Sequence, residues 1–552
     1  MPHSNATSVL LSPSIASRRE GFSSALLNID ELPEGFPIEQ WQEQQQRYDE
    51  YWKWFTGEAI SGIKTSTRDG RVIFEFPLRI NVVKNFARKH ASFLFGEVPD
   101  TASSMVLPVV KPKQSLDGSK IDEEAKDRAK IIESVLNEVW EQSYGRSIQL
   151  EQGVLSQVLG GCVFKVRYVP QRIDLRIPII VEPVLPDFFL PVWKNNDYFD
   201  LLEAFVIYRI PARTAEIEYG IEVEDHVQAG SVQYMEHWTK KHYSIWVAGQ
   251  PLTTQIGNKT VVFDNLPNPF NFVPFTYIPH AREGSFYGTS IVPDIQGLVL
   301  EYNARMADEG DAIRENVHRR RYVRNVGSSV SVKTLDENTR AINLGSDIPT
   351  SKNPPDAFVE KGPDIPHGVS DYTKRLWNQI LRDGNISPTA FGEDEGSQRS
   401  GLTLALRMFP STAHARAERT FWTDGLNQID RQIILMLLAK PEVLRKTGLQ
   451  IDKNFLVNFD ISQNWSPIIP RDRESMVSEM ILRKQAHLVS PKTAMREFGD
   501  IEDFEAEQDM IIDWLERVSE LTDNQPNADG QQDIADEPLV DNQVPVAKLE
   551  TA

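Results

Sequence analysis

A single cysteine, Cys162, stands in the whole chain, so no disulfide can form within it. That scarcity fits a protein assembled in a reducing cytoplasm. Cys162 lies in LGGCVFKVRYV, which reads as a buried strand, so its thiol is expected to be an inert packed group and not a nucleophile. Long apolar runs are scarce as well. The longest, Ile433 to Ala439, falls far short of the roughly 20 residues a bilayer span needs, and no membrane partner is expected. The first twenty residues have no basic start followed by a clean apolar stretch and a small-residue cleavage site, so no export signal is expected. The sequence contains no G-x-x-x-x-G-K-[ST] loop, G-x-S-x-G elbow, HExxH, paired CxxC or EF-hand loop. Carboxylate clusters occur at Glu393-Asp394-Glu395 and at Glu502, Asp503 and Glu505, but neither has a partnered Lys or His in a defined context. The expectation is therefore no enzyme, no catalytic residues, no cofactor and no metal site.

A surplus of positive charge is missing too. The 59 basic residues are outnumbered by 79 acidic ones, for a net charge of −20. Seven of those negative charges sit in residues 520–552, which hold eight Asp/Glu and one Lys. Static gripping of DNA needs Lys and Arg massed on the contact face. A protein that lets DNA slide past has the opposite need, so composition leaves open both no DNA contact and contact without grip.

What is present is a long chain with ordinary globular proportions, 40% hydrophobic and 25% charged. Its length predicts three or four folding units. Residues 1–24 are Ser-rich and read as a flexible arm. Trp41, Tyr48, Trp52 and Phe55 keep helical spacing among acids, which predicts a helix packing its rings on a neighbour. Asn81 to Phe95 places Val82, Phe86, His90, Phe93 and Leu94 on one helical face. His90 reads there as a packed or surface residue, since no second ligand is near in sequence. Residues 101–118 read as a linker, Ile121 to Tyr144 as an amphipathic helix, and Arg146 to Leu159 as a helix stopped by Gly160-Gly161. Short β-rich runs then carry the chain to about residue 285, with His237 and His242 read as surface strand residues.

A long helix is expected from Ser290, capped by Thr289 or Ser290 and with Pro293 in its first turn. Its stripe is Ile295, Leu298, Val299, Tyr302, Met306, Ile313 and Val317, and Arg319, Arg320, Arg321 and Arg324 close its C-terminal end. A small β unit ends near Asp364, and a second helix spans Val369 to Leu381. A stretch with few order signals follows, then a helix from Leu402 to Lys440, bent at Pro410. Its inward face is expected to hold Leu402, Ala405, Leu406, Phe409, Ala413, Ala417 and Phe421, then Trp422, Leu426, Ile429, Ile433, Met436 and Leu437. A strand pair near FLVNFDIS, further helices and an acidic tail from Asn524 complete the chain.

In this order the residues resemble the portal family of tailed phages, over roughly Tyr48 to Leu521. The resemblance rests on Asn268, Pro269, Phe270 and Pro274; on Gly288-Thr289-Ser290 opening a long helix with Asp294 and Tyr302-Asn303; and on Ser400-Gly401 leading into another. His487-Leu488-Val489-Ser490, with Thr493 and the acids from Asp500 to Glu507, matches the family's tail segment except that His487 replaces a usual glycine. The resemblance implies an α+β portal fold with long stem and spine helices, a β-rich wing, a small β clip insertion and a helical crown. Its boundaries would be an arm at 1–24, wing 25–285, stem helix 286–318, clip 319–365 and second stem helix 366–385. A tunnel loop at 386–400, spine helix 401–450, crown 451–522 and disordered tail 523–552 would follow.

It further implies a ring, in the family most often of twelve subunits, at one vertex of the virion capsid, through which double-stranded DNA is packaged and ejected without sequence specificity. The implied partners are copies of itself, major capsid and scaffolding proteins, the terminase large subunit and a head–tail adaptor. Candidate channel residues are Ser387, Thr389, Phe391, Glu393, Asp394, Glu395, Gln398 and Arg399. Candidate contacts to motor or adaptor are Arg319, Arg320, Arg321 and Arg324, whose alternative reading is a solvated helix end. A nucleic-acid enzyme, or a virion protein that oligomerises without conducting DNA, are the competing functions.

Overall fold

A computed structural model describes residues 36–60, 65–68, 71–74, 79–96, 106–113, 123–195, 197–221, 230–256, 259–317, 321–324, 341–343, 354, 356–359, 367–392, 403, 406–447, 451, 455–468, 473–486, 488–490, 507, 510–514 and 517. The chain divides into two bodies, residues 1–470 and residues 471–552. The second contains α9 (Arg473–Gln485), on which Val477, Ile481 and Leu482 are exposed.

The first body opens with α1 (Ile38–Thr56), a β1–β2 hairpin (Thr65–Arg68, Arg71–Phe74), α2 (Val82–Phe95), β3 (Leu107–Pro112), α3 (Glu123–Gln142) and α4 (Gly145–Leu159). Asn81 caps α2 by accepting from the Lys84 N–H at 3.0 Å, which satisfies one of the orphan donors of a helix start. Gly160 ends α4 in the left-handed conformation that glycine adopts at least cost. Next come β4 (Gly161–Tyr168), β5 (Ile179–Val184), β6 (Phe189–Lys194), β7 (Asp197–Pro211), β8 (Ser231–Thr239), β9 (His242–Val247), β10 (Gln250–Pro251), β11 (Thr253–Ile256), β12 (Lys259–Val262), β13 (Leu266–Pro267) and β14 (Phe275–Pro279). Then α5 (Val292–Val317), β15 (Arg321–Arg324), β16 (Ala341–Asn343), β17 (Asp356–Val359), α6 (His367–Asp383), α7 (Phe409–Ala439), α8 (Pro441–Thr447) and β18 (Phe459–Asn464) complete the body.

Layers follow from alternation along β4, the middle strand of the antiparallel sheet β14–β4–β5. Its residues Cys162, Phe164 and Val166 join the core formed with α3 and α7, where Trp140, Phe164, Trp422 and Phe95 meet ring to ring. Its other face, with Val163 and Lys165, turns toward the larger antiparallel sheet β10–β9–β8–β7–β6. Opposite facing of neighbours along a strand produces both contacts from one segment. The outer side of the larger sheet is covered by Phe36 and Trp41, packed on Leu190, Phe205, Ile207 and Met235.

Charge lies inside this sandwich. Lys165 is 2% exposed and bonds both oxygens of Glu236, at 2.9 and 2.7 Å. Tyr234 and Trp238 donate to the same carboxylate, and Arg167 pairs with Glu182 at 3.0 Å. Two cations and two carboxylates make the cluster neutral, the condition under which burying charge is tolerable. Although burial opposes ionisation of Glu236, Lys165 and the hydrogen bonds outweigh it and hold its pKa below the ordinary carboxylate value.

Several expectations need correction. Part of the supposed linker 101–118 is β3, paired antiparallel with β18 across some 350 residues of sequence. The helix expected from Leu402 is interrupted at Met408, two residues before Pro410, and α7 starts anew with Pro410 in its first turn, where a missing N–H costs nothing. Leu406 and Phe409 are exposed and not inward, and Leu402 and Ala405 lie outside the described residues. The first half of α7 turns inward Ser411, Thr412, Ala415 and Glu418, while Ala417 is exposed and Phe421 and Ala413 only half-buried. Its second half buries Trp422, Leu426, Ile429, Ile433, Met436 and Leu437 as expected. On α1, Trp41 and Tyr48 are buried, but Gln44, Gln45 and Trp54 are buried too, while Trp52 and Phe55 are half-buried. Phe93 on α2 is likewise half-buried. Cys162 is fully buried, which pushes its thiol pKa well up and keeps it inert. His242 is exposed, whereas His237 is half-buried, stacked on Phe205 at 4.2 Å and bonded to Glu203.

Candidate functional site

Of the residues that carried the family resemblance, Gly288, Ser290, Asp294 and Asn303 lie where α5 leaves the body, Asn268 lies on the approach to β14, and Ser400, Gly401, His487 and Thr493 lie outside the described residues. Asn268 folds the approach by donating to the carbonyls of Thr239 and Phe272, at 2.9 and 2.8 Å, while its own oxygen accepts from Phe270 N–H. Gly288 packs directly against the backbone of Gly160, so a Cβ at either glycine would collide with the other's main chain. Ser290 donates to Val158 O and accepts from Val292 N–H at 3.1 Å, which anchors the start of α5 to the end of α4. Buried Asn303 exchanges two hydrogen bonds with the backbone of Ile80, at 2.9 and 3.2 Å. Burial, then the acids Glu283 and Asp383, raise the pKa of Asp294 in the first turn of α5.

Beyond this root, α5 and α6 run antiparallel: Tyr302 packs on Trp377, and Thr373 donates to Glu309 at 2.7 Å. Ile295 and Val299 are buried near the root, but Leu300, Ile313 and Tyr372 further out are exposed. The inward stripe expected along α5 therefore holds only for its first part. The far ends are bridged by a small sheet in the order β16–β15–β17, parallel on one side of β15 and antiparallel on the other.

Arg321 and Arg324 are the first and last residues of β15, not a helix end as expected; Arg321 pairs with Ala341 and Val359, and Arg324 with Asp356. Arg319 and Arg320 lie outside the described residues.

Of the channel candidates, Ser387, Thr389 and Phe391 belong to a segment that is packed, contrary to the expectation of few order signals. Pro388–Phe391 forms one turn of 3-10 helix. Buried Ser387 donates its hydroxyl to Arg407 O at 2.7 Å, and its N–H donates to Ser411 Oγ at 2.9 Å. Phe391 rests against Phe86 and Trp377. Gly384 does not loosen this segment: it lets Phe86 approach the backbone, and its carbonyl accepts from His90 Nε2 at 2.8 Å. Gly392, at φ +77°, ends the turn. Glu393, Asp394, Glu395, Gln398 and Arg399 lie outside the described residues.

Beneath this segment the fold gathers histidines that are far apart in sequence. The ring of His90 lies 4.5 Å from that of His414, and His414 Nε2 lies 3.3 Å from His280 Nε2. The expectation that His90 has no second such residue nearby fails because α2 and α7 cross here. Glu418, one turn after His414, is fully buried and accepts from Gln157. Burial raises its pKa to about 8 and lowers that of His280 to about 4.

Residues 172–520, more than half of the chain, match the family described as phage portal protein, SPP1 Gp6-like. The chain belongs to the phage portal family. It is thus a structural component of the phage capsid and acts in genome packaging. The portal family is a structural one. The matched span takes in β5 through β18, including the whole excursion from α5 to α6. A comparison with curated proteins finds no match. Among the described residues no helix is long and apolar enough to cross a membrane.

Proposed function

We propose that this portal protein assembles into a ring, of twelve copies as is usual in the family, whose axial channel passes double-stranded DNA into and out of the phage head. In this reading α5 and α6 are the stem, the β16–β15–β17 sheet belongs to the clip, and α7 is the spine. The observation that carries it is the α5–α6 excursion within the matched span: a two-helix arm with exposed apolar side chains that a solitary chain has no reason to keep. The clip sheet has three short strands, too few for a core of its own, so pairing with neighbouring copies supplies its stability. Electron microscopy of the purified protein tests the reading. Turbine-shaped rings with an axial hole are expected, and a monodisperse monomer under assembly conditions overturns it.

The same reading assigns the acids Glu393, Asp394 and Glu395 to the tunnel wall and Arg319–Arg321 to the face that meets the packaging motor, then the adaptor. Assembly then takes place in the host cytoplasm with scaffolding and capsid proteins as partners. Neutralising Arg319, Arg320 and Arg321 together is expected to spare the ring and reduce packaging, each exposed pair contributing about 1 kcal/mol or less. Unchanged packaging by intact rings would return them to a solvated surface.

A further inference from the structure

We propose that His280, His414 and Glu418 bind a divalent transition-metal ion of the zinc class, which staples α7 to the segment following β14. Histidine nitrogen and carboxylate oxygen form the donor set that zinc accepts, and their ligand atoms already lie within 4.8 Å of one another. His414 and Glu418 stand four residues apart on α7, so they share one face of the helix. His280 reaches them from the end of β14.

The hydrogen bonds around the three residues favour a cation over a self-contained polar cluster. His280 Nδ1 lies 2.9 Å from the Thr289 carbonyl, which can only accept, so the ring proton resides on Nδ1. That leaves a lone pair on Nε2, and an outer carbonyl fixing the tautomer is the usual support of a zinc-binding histidine. The facing atom, His414 Nε2, is 3.3 Å away. Without an ion the two rings share a hydrogen bond at this distance, and two nitrogens held about 2.0–2.1 Å from one tetrahedral ion stand about 3.3–3.4 Å apart, so an ion replaces that bond with little movement.

Glu418 adds the independent sign. One oxygen accepts from Gln157, but Oε2 is buried with no hydrogen-bond partner, in a residue only 2% exposed. A buried carboxylate oxygen left bare costs several kcal/mol if charged, and an ion beside two neutral imidazoles removes that penalty. The ring of His90, held by Gly384 O, packs on His414 and fixes its orientation. Half-buried His414 provides the entry side, and the fourth position is left to water.

The test uses the full-length chain, stripped with chelator and titrated with Zn²⁺ against a chromophoric competitor. One tightly bound Zn²⁺ per chain is expected, together with a thermal midpoint that rises on adding Zn²⁺. E418Q, which keeps size and removes the ligand charge, and H414Q are each expected to weaken binding by about 100-fold or more, beyond the 10–100-fold of an outer-shell change. H242Q, at an exposed histidine, should leave affinity unchanged. Wild-type affinity in E418Q, or loss of binding in H242Q, overturns the proposal in favour of an adventitious surface ion. Where H414Q or E418Q fails to fold, Co²⁺ in the unmutated chain decides. Visible d–d bands of tetrahedral intensity at one equivalent support the site, and their absence overturns it.

Discussion

The body around β4 and the arm made by α5 and α6 solve the same problem in opposite ways. In the body, charge is internal: Lys165, Arg167, Glu182 and Glu236 find one another between two sheets, so each of the four charges has a counter-charge within the chain. In the arm, apolar residues such as Leu300, Ile313 and Tyr372 lie on well-formed helices yet stay exposed, as Ile173, Leu406 and Phe409 do on the body. The charge cluster is thus satisfied within a single chain, whereas the proposed ring gives the exposed residues of the arm a neighbouring copy to meet. Substitutions in the body should register as lost chain stability, and substitutions in the arm as lost assembly or function with stability retained.

The largest effect on stability is expected at Lys165. Replacing it with Met keeps the bulk but leaves Glu236 buried with its cation gone and Glu182 without its second neighbour. Breaking a buried pair from one side costs about 3–5 kcal/mol, because the surviving charge stays in the interior. Chemical denaturation of the two proteins measures it. A loss below about 1 kcal/mol would mean that water reaches the cluster and that the body is less closed than its burial indicates.

Asp430 gives the body a pH signature of comparable size. Trp140 and Gln463 donate to it at 2.9 and 2.7 Å and favour its ionised form, yet burial dominates and raises its pKa from 3.8 to about 7. Between about pH 4 and pH 7 the unfolded chain loses this proton while the folded chain keeps it. Stability therefore falls as pH rises through that window and levels off above it, by on the order of 4 kcal/mol in total. Asp430→Asn is expected to flatten that part of the profile, and denaturation midpoints at pH 5 and about pH 8 show whether it does. An unchanged slope would assign the dependence to another buried group.

How far these regions were readable from the sequence depends on whether the signal was periodic or relational. Of the α3 stripe that apolar spacing predicts, Ala129, Ile132, Leu136, Val139 and Trp140 are buried and Ala125 and Val135 half-buried, and the stop at Gly160 and the later half of α7 agree as well. Relational features were invisible. Gln44 is buried because carbonyls of Pro186 and Phe189, some 140 residues away, take its amide protons. The early half of α7 turns Ser411, Thr412 and Glu418 inward, and polar residues leave no apolar stripe to follow. β3 needed β18 to be a strand at all. The histidine cluster joins positions 90, 280 and 414, which lie far apart in the chain, although His414 and Glu418 stand at helical i, i+4 spacing. Gly288, Ser290 and Asn303 at the root of the arm, and Asn268 on the approach to β14, were legible by contrast as family features, and the contacts now give each a physical reason.

In the arm the expected effect on chain stability is smaller and the effect on assembly larger. Ile313 is 54% exposed, so Ile313→Asp should change the denaturation midpoint by no more than about 0.5 kcal/mol, as surface substitutions do. If α5 packs against a neighbouring copy, the same change buries a charge in an apolar contact and the ring population falls. Sizing and microscopy of the variant distinguish the two. Intact rings would mean that Ile313 faces the channel or solvent, and would weaken the argument from exposed apolar residues.

The smallest effect on stability, and the most specific on function, is expected at Glu393, Asp394 and Glu395. Three adjacent acids on each chain, repeated around a ring, would form a negative collar that keeps phosphates from sticking while DNA slides. Screening over about 8 Å at physiological salt confines that repulsion to DNA passing close by. Changing all three to Lys reverses the sign: counterions are released when phosphates bind, and the collar becomes a salt-sensitive brake. The variant is therefore expected to assemble normally, to keep its denaturation midpoint and to package DNA slowly, with partial recovery as salt is raised. Chain stability separates this outcome from misfolding, and the salt response separates it from a steric block, which salt would not relieve. Wild-type packaging rates at both low and high salt would place the acids away from the DNA path and leave the channel wall to other residues of the loop.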